Sequence, residues 1–498
     1  MLEEYFSTFR KNTVGHELRS LTGKHNLLYT DWTASGRLYR PIEDFLVNEI
    51  GPYVANPHTE NTETGRHITN AYKEARAKIK KHVNANANDV LICTGAGATS
   101  AINKLQRLMG LTQNLTKDTT LSLLNRLNPF RPSKKTVEAV VFVSHMEHHS
   151  NHTSWNTLNV IVEVIKRAPD GQPCIKDLQL RLKEHKNTKL KIGAFTACSN
   201  VTGIKTNVGL LAKTMHLAGG VCLIDYACSA PYVDIDMHPS DPLEQLDAIY
   251  FSPHKFLGGP GTCGILVFNK QLYTRHNQAP DKPGGGTVLW TNPWGEQAFY
   301  ENIEKREDGG TPAFLQTIKV ALAMELKDKM GVANIEQREN HLRKILMDGF
   351  ELIPKLKILE PNNRNRLCIV SFYIEGLHHN LIVRLLNDKF GIQARGGCSC
   401  AGTYGHILLN VDKYQSKKIV DQVSNGDLSH KPGWVRISLH PTNTDEEAKF
   451  VIDSLASIVK NADDWKNEYT FDSCLGDFLP NAADKSSEVQ MPLLSLVS

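Results

Sequence analysis

The chain has 498 residues, 41% hydrophobic and 22% charged, which supplies core for two or more domains and excludes a wholly disordered, collagen-like or small disulfide-stapled protein. Its 57 basic and 53 acidic residues leave a net +4, too little and too evenly spread for a nucleic-acid or membrane-surface footprint, so small-molecule chemistry is the expected class. The opening MLEEYFSTFRKN carries acids and no apolar signal core, no run of roughly 18 apolar residues occurs, and ten cysteines follow no repeated spacing; a cytosolic protein with reduced thiols and no membrane or nucleic-acid partner is expected.

In chain order, the first clear element is a helix over Arg66–Val83, where Ile68, Tyr72, Ala75 and Ile79 recur at three- and four-residue steps while Lys73, Arg76, Lys80 and Lys81 fall elsewhere. Short β-branched or apolar runs then predict buried strands at Val90–Cys93, Ala139–Val143, Leu190–Thr196, Val221–Ile224, Ala248–Phe251 and Gly264–Phe268, with helical patterns between many of them. The alternation argues an α/β domain with a mainly parallel sheet, whose ligand lies beyond the carboxyl ends of the strands. Thr112–Thr136, rich in Asn, Thr, Pro and Lys, reads as a surface insertion, and Gly284–Gly286 as a loop. From about Pro312 the pattern becomes α+β: a helical stretch through Leu342, strands at Cys368–Tyr373 and Trp434–Leu439, and helices at Asn380–Phe390 and Asp445–Val459. The predicted division is an N-terminal segment (1–35) packing with the small domain, a large domain (36–311), a small α+β domain (312–470) and a loosely attached tail (471–498).

Chemistry-bearing residues follow the predicted strands. Thr94-Gly95-Ala96-Gly97-Ala98-Thr99-Ser100 leads into a helix and suits a phosphate at a helix N-terminus. Further along come Glu147-His148-His149-Ser150-Asn151, then Ser199-Asn200, then Asp225, and finally Ser252-Pro253-His254-Lys255 before a Gly-rich turn. A lysine, a carboxylate and a phosphate cradle are the set that pyridoxal phosphate requires: an amine to bind it as a Schiff base, an acid to keep its ring nitrogen protonated, and donors for its phosphate. Taken singly, each residue also has a plain structural reading, Asp225 as a turn residue and His148 as a satisfied cap.

With Tyr29-Thr30-Asp31-Trp32-Thr33-Ala34-Ser35, Gly309-Gly310-Thr311-Pro312, Arg395-Gly396-Gly397-Cys398-Ser399-Cys400-Ala401 and Arg436-Ile437-Ser438, these segments resemble, in order across about residues 25–460, the class V aminotransferase-fold pyridoxal enzymes, and within them the cysteine desulfurases of the selenocysteine-lyase-like type. The resemblance implies a large domain with a mainly parallel seven-stranded sheet, a smaller α+β domain, and a homodimer. It implies that Lys255 carries pyridoxal phosphate, Asp225 pairs with the ring nitrogen, His148 stacks on the ring and Asn200 faces the ring oxygen. Ala98, Thr99, Ser252 and His254 would receive the phosphate, with Thr311 from the other subunit. Arg436, aided by Arg395 and Asn151, would bind the substrate carboxylate. Lys255 would shuttle the Cα proton, and Cys400 as thiolate would take sulfur (or selenium) from L-cysteine (or selenocysteine), leaving a persulfide for an acceptor protein and alanine as product. Arg395, His148 or His149 would raise the thiolate fraction.

Three departures from the family stand out, one being the Thr112–Thr136 insertion with the tail. Cys228 occupies the position, three after Asp225, where the family commonly has Gln, and Gly402 to Val435 is longer than the usual connection between nucleophile and arginine. A metal at Cys398 and Cys400, with His406 near, lacks the second ligand pair that zinc needs, so no metal is expected. Two other readings stay open at this point. One is another class V reaction (epimerase, lyase or aminotransferase) needing Lys255 but not Cys400, and the other is a non-catalytic scaffold that binds a sulfur carrier.

Overall fold

A computed structural model describes residues 2–20, 25–57, 59–113 and 139–481, which divide into two compact units. The insertion expected at 112–136 therefore lies, from residue 114 on, outside the described residues, as does the chain after 481.

The larger unit spans Thr33–Gln337 with Asn362–Leu367. Its sheet has seven strands: β1 (Asp89–Thr94), β2 (Ala139–Ser144), β3 (Ile161–Ile165), β4 (Leu190–Thr196), β5 (Val221–Asp225), β6 (Ala248–Phe251) and β7 (Gly264–Asn269), in the order β1-β7-β6-β5-β4-β2-β3. All run parallel except β7, which is antiparallel to both neighbours. The central strands are buried almost without interruption, as expected of a parallel sheet covered on both faces, and this is why they read as continuous apolar runs. Strand β3 was not among the predicted strands: it is an edge strand, its first residue exposed and Glu163 in its middle, so its apolar signal is diluted.

Helix α1 (Glu63–His82) precedes β1, helices α2 (Ala98–Leu108), α3 (His149–Asn156), α4 (Ile175–Glu184) and α5 (Val208–Leu217) lie between successive strands, and α6 (Phe314–Met330) follows β7. The Thr62 hydroxyl caps α1 by accepting the Gly65 N–H, and the buried stripe is Ile68, Tyr72, Ala75 and Ile79, the face that the sequence spacing selects. Helix α1 packs along α6. The boundary expected at 312 thus moves: α6 belongs to the larger unit, and the chain leaves that unit within the next helix, α7 (Val332–Glu351), begun after Gly331. Both helices are apolar enough to have read as one stretch.

The second unit comprises Met1–Trp32, Arg338–Pro361 and Cys368–Ser498. Its antiparallel sheet has the order β8-β9-β11-β10, from β8 (Leu356–Ile358), β9 (Ile369–Ile374), β10 (Arg395–Gly397) and β11 (Trp434–Ser438), packed with α8 (His379–Phe390) and α9 (Asp445–Trp465) around one apolar core. An N-terminal helix, Leu2–Asn12, joins this unit with Phe6 and Phe9 buried, and Arg10 forks onto the Glu447 carboxylate at 2.7 and 2.8 Å. Residues 471–481, expected as loose tail, are instead part of a hairpin (Tyr469–Asp472 and Asp477–Pro480) fastened to α8 by Asn380 Nδ2 donating to Gly476 O at 2.6 Å and by an Arg384–Asp477 ion pair at 2.9 Å. The long stretch before β11 folds as two helices, Gly402–Leu408 and Lys413–Ser424, the latter started by an Asp412–Gln415 capping box.

Candidate active site

In the larger unit the site grows from the carboxyl ends of the parallel strands. The turn after β1 delivers Gly97 to the start of α2, where a Cβ would lie 2.9 Å from the Ser252 hydroxyl and 3.1 Å from the His254 ring, so only glycine lets the two loops meet. There the Ser252 hydroxyl accepts the Ala98 N–H at 2.9 Å, and His254 donates from Nδ1 to the Ala96 carbonyl at 3.0 Å. Helix α2 has no side-chain cap and no acid in its first turn, and Thr99 adds a hydroxyl 2.6 Å from that of Ser150. An uncapped helix start ringed by two hydroxyls, an imidazole and small residues fits a phosphate dianion.

Asp225 ends β5, paired in register with Thr196 on one side and Tyr250 on the other. It is buried, and one oxygen accepts the Ala227 N–H at 2.7 Å. Burial pushes its carboxyl up to about 6, against the pull of that N–H and of the Lys255 charge. A buried acid of this kind suits a cationic ring N–H, which the protonated nitrogen of pyridoxal phosphate supplies. Half-buried Lys255 closes the 3-10 turn Pro253–Lys255 directly after β6. His148 caps α3 by accepting the Ser150 N–H on Nδ1 at 3.1 Å, which fixes the ring proton on Nε2. Asn200 is buried in the turn after β4. The donor set therefore fits the cofactor: amine, carboxylate, imidazole, amide and phosphate cradle all stand at strand ends of one sheet.

Three residues differ from expectation or extend it. Asn151, expected at the substrate, is fully buried and its amide is committed to the interior: Nδ2 donates to Glu147 at 2.7 Å, and Oδ1 accepts from the Tyr250 hydroxyl at 2.6 Å. It props the site from below. Glu147, quoted in the motif but given no role, is buried beneath the same strand ends, where its carboxyl accepts from Ser144, Asn151 and the Thr196 N–H. Burial, with the Asp225 charge added, outweighs these donors and pushes it up to about 8. Cys228 directs its thiol to the Cys198 carbonyl at 3.0 Å, so this departure from the family is absorbed by the main chain.

Thr311 is exposed on a segment pinned by Gly310, whose N–H donates to Gly285 O at 2.8 Å with φ +86°, so the Gly284–Gly286 loop backs directly onto it. A buried charge cluster anchors the same segment: Lys104 of α2 lies 2.7 Å from Glu307 and 3.3 Å from Asp281, which Arg107 also meets at 2.7 Å. No sequence motif announces this cluster, because its members are far apart in the chain.

In the smaller unit Cys400 is exposed, and both it and Ser399 have left-handed backbone, φ +57° and +48°. Non-glycine residues in that region cost about 1–3 kcal/mol each, and such strain concentrates at functional positions. His406 is committed elsewhere, with Nδ1 donating to Gly402 O and Nε2 accepting from the Ser416 hydroxyl. Arg395 and Arg436 stand directly opposite each other across β10 and β11, and Asp31 bridges them: Oδ1 to Arg436 at 2.6 Å, Oδ2 to Arg395 at 2.9 Å. Asp31 belongs to the Tyr29–Ser35 segment, whose sequence gives no sign of this pairing.

Comparison with known proteins agrees with this geometry. The family Aminotransferase class-V matches residues 28–451. The chain is 26% identical over 413 residues to a probable cysteine desulfurase of Staphylococcus epidermidis, covering 82% of this chain and 92% of the relative, and 27% identical over 379 residues to one of Halalkalibacterium halodurans, covering 75% and 84%. The apo cysteine desulfurase structure from Thermococcus onnurineus NA1 superposes with a TM-score of 0.71 at 21% identity, covering 91% of this chain and 98% of that one; the Escherichia coli cysteine desulfurase CsdA gives 0.67 at 20%, with the same coverage. These structures share the fold, a seven-stranded, mostly parallel sheet with a smaller α+β part. Among the described residues no helix is long and apolar enough to cross a membrane. The chain belongs to the class V aminotransferase family and is a pyridoxal-phosphate-dependent enzyme.

Proposed function

We propose that the protein is a cysteine desulfurase, which moves the sulfur of L-cysteine, or the selenium of selenocysteine, onto Cys400 and releases alanine. The observation that carries this reading is Cys400 itself: an exposed thiol in left-handed backbone, five residues after Arg395 on the strand that faces Arg436. The similarity to proteins named probable cysteine desulfurases supports it.

Bound pyridoxal phosphate supplies the electron sink that makes the substrate Cα–H acidic and loosens the Cβ–S bond. Lys255 would hold the cofactor through Nζ, and its amine would be the base that moves the substrate Cα proton. Asp225 would hold the ring N–H, while Ala98, Thr99, Ser252 and His254 would receive the phosphate. His148, its proton fixed on Nε2, would stack on the cofactor ring, and Asn200 would serve the ring oxygen. Arg436 binds the α-carboxylate through its planar fork. The Cys400 thiolate attacks the substrate sulfur, so that the S–S bond forms as the C–S bond breaks, and the electron pair passes to the carbon fragment that is protonated to alanine. Exposure of Cys400 supports handover of the persulfide to an acceptor protein, and exposure of the firmly anchored Thr311 supports a homodimer in which that hydroxyl serves the other subunit's phosphate. Ten cysteines standing as free thiols support a reducing, cytoplasmic setting.

The test is incubation of cofactor-loaded protein with L-cysteine. Wild type should release alanine; Lys255→Ala should lose both the Schiff-base absorbance and alanine; Cys400→Ser should keep the absorbance and lose sustained turnover. Alanine release by Cys400→Ser at the wild-type rate would contradict the reading.

A further inference from the structure

Arg395 and Arg436 are cross-strand partners, a placement in which two like charges repel. The sheet tolerates it because Asp31 gives one oxygen to each guanidinium, at 2.6 and 2.9 Å. Asp31 is built in rather than draped over the pair. The Thr30 main chain before it donates to Gln393 O at 3.1 Å and accepts from Ser438 N at 2.7 Å, and Trp32 after it stacks on the His440 ring at 4.2 Å. These contacts fix the Asp31 backbone beside the arginine pair. The Asp31 and Arg436 side chains are only 14% and 3% exposed, so their charges act at strength, whereas Arg395 is 45% exposed. Two unopposed arginine forks would form a grip for a dicarboxylate. With Asp31 between them the formal balance is two positive charges and one negative, which matches one carboxylate.

We propose that Asp31 is a specificity-determining residue that restricts the paired arginines to amino acids bearing a single carboxylate, by bridging both guanidiniums so that the pair presents one net positive charge. This rests on the reading above that Arg436 binds the substrate α-carboxylate.

The test compares L-alanine and L-aspartate binding to the cofactor-loaded enzyme, by calorimetry and by the change in cofactor absorbance. Neither ligand needs Cys400, so the result is separate from whether L-cysteine is desulfurated. Asp31→Asn should raise affinity for L-aspartate relative to L-alanine by about tenfold, the scale of one charge pair in a partly desolvated site. Asp31→Glu should keep the wild-type ratio, and the Asp31→Asn, Arg395→Gln double variant should return to it because the net charge is again +1. Asp31→Ser carries the same expectation as Asp31→Asn and guards against a poorly folded amide variant. An unchanged ratio in both neutral variants, or equal weakening of both ligands, would overturn the proposal.

Discussion

The Ser252 hydroxyl accepts the Ala98 N–H at 2.9 Å, which ties the loop carrying Lys255 to the first turn of the helix that cradles phosphate. Cofactor anchoring at both ends, amine and phosphate, passes through this bond. Ser252→Ala leaves a buried N–H without its acceptor and removes a phosphate donor, a loss of about 1–3 kcal/mol. Cofactor affinity should fall at least tenfold, read by absorbance after dialysis, with Lys255 still able to form its Schiff base at saturating cofactor. Unchanged retention would show that the contact is incidental.

Asp225 gives a pH signature. Its carboxyl is raised by burial to about 6 in the folded protein, so from the ordinary value near 4 up to about 6 the unfolded chain ionises first and folded stability falls, by about 3 kcal/mol in full. A bound ring N–H cation offsets that cost by pairing with the carboxylate. The thermal stabilisation conferred by cofactor should therefore be larger above pH 6 than below it, and Asp225→Asn should remove this part of the difference. A cofactor-dependent Tm increment with the same pH profile in both proteins would contradict the pairing.

Glu147 behaves in the same direction over a wider range, since burial and Asp225 raise it to about 8. Glu147→Gln turns one buried acceptor into a donor facing Asn151 or Thr196, costing about 1–3 kcal/mol at low pH. Because wild type loses stability as pH rises towards 8 and glutamine does not titrate, the gap between the two should narrow with rising pH in denaturant titrations. A gap that is constant with pH would mean that the carboxyl titrates in its ordinary range.

Lys104 is the cation of a cluster in which its own side chain, Glu307 and Asp281 are at most 6% exposed. Lys104→Met leaves Asp281 with Arg107 and Glu307 with the Tyr273 hydroxyl and the Asp281 N–H, and should cost about 3–5 kcal/mol. Since the acids lie on the 281–307 segment that leads to Thr311, limited proteolysis should also cut there faster in the variant than in wild type.

Six of the seven strands of the large sheet, and the placement of the Gly-rich turn and of Lys255 just past strand ends, are legible in the sequence because each is a local pattern: a continuous apolar run, small residues before a helix, a lysine after a strand. The sequence also places the helix of Ile68, Tyr72, Ala75 and Ile79 on the correct face for the same reason. What it could not carry is pairing across the chain. Asp31 meets arginines more than 360 residues away, Lys104 meets an acid about 200 residues on, and Asn151, expected with the substrate carboxylate, has its amide engaged by Glu147 and by Tyr250, about 100 residues on. The hairpin at 469–480 was missed because its strands are short and only partly buried.

The central claim is that Cys400 receives the sulfur. A single turnover with L-cysteine, followed by mass spectrometry of the peptide containing Cys398 and Cys400, tests it most directly. One added sulfur atom on Cys400, equal in amount to the alanine released and absent from Cys400→Ser, is the predicted result. Stoichiometric alanine with no sulfur on Cys400, or sulfur on Cys398 that persists in Cys400→Ser, would contradict it.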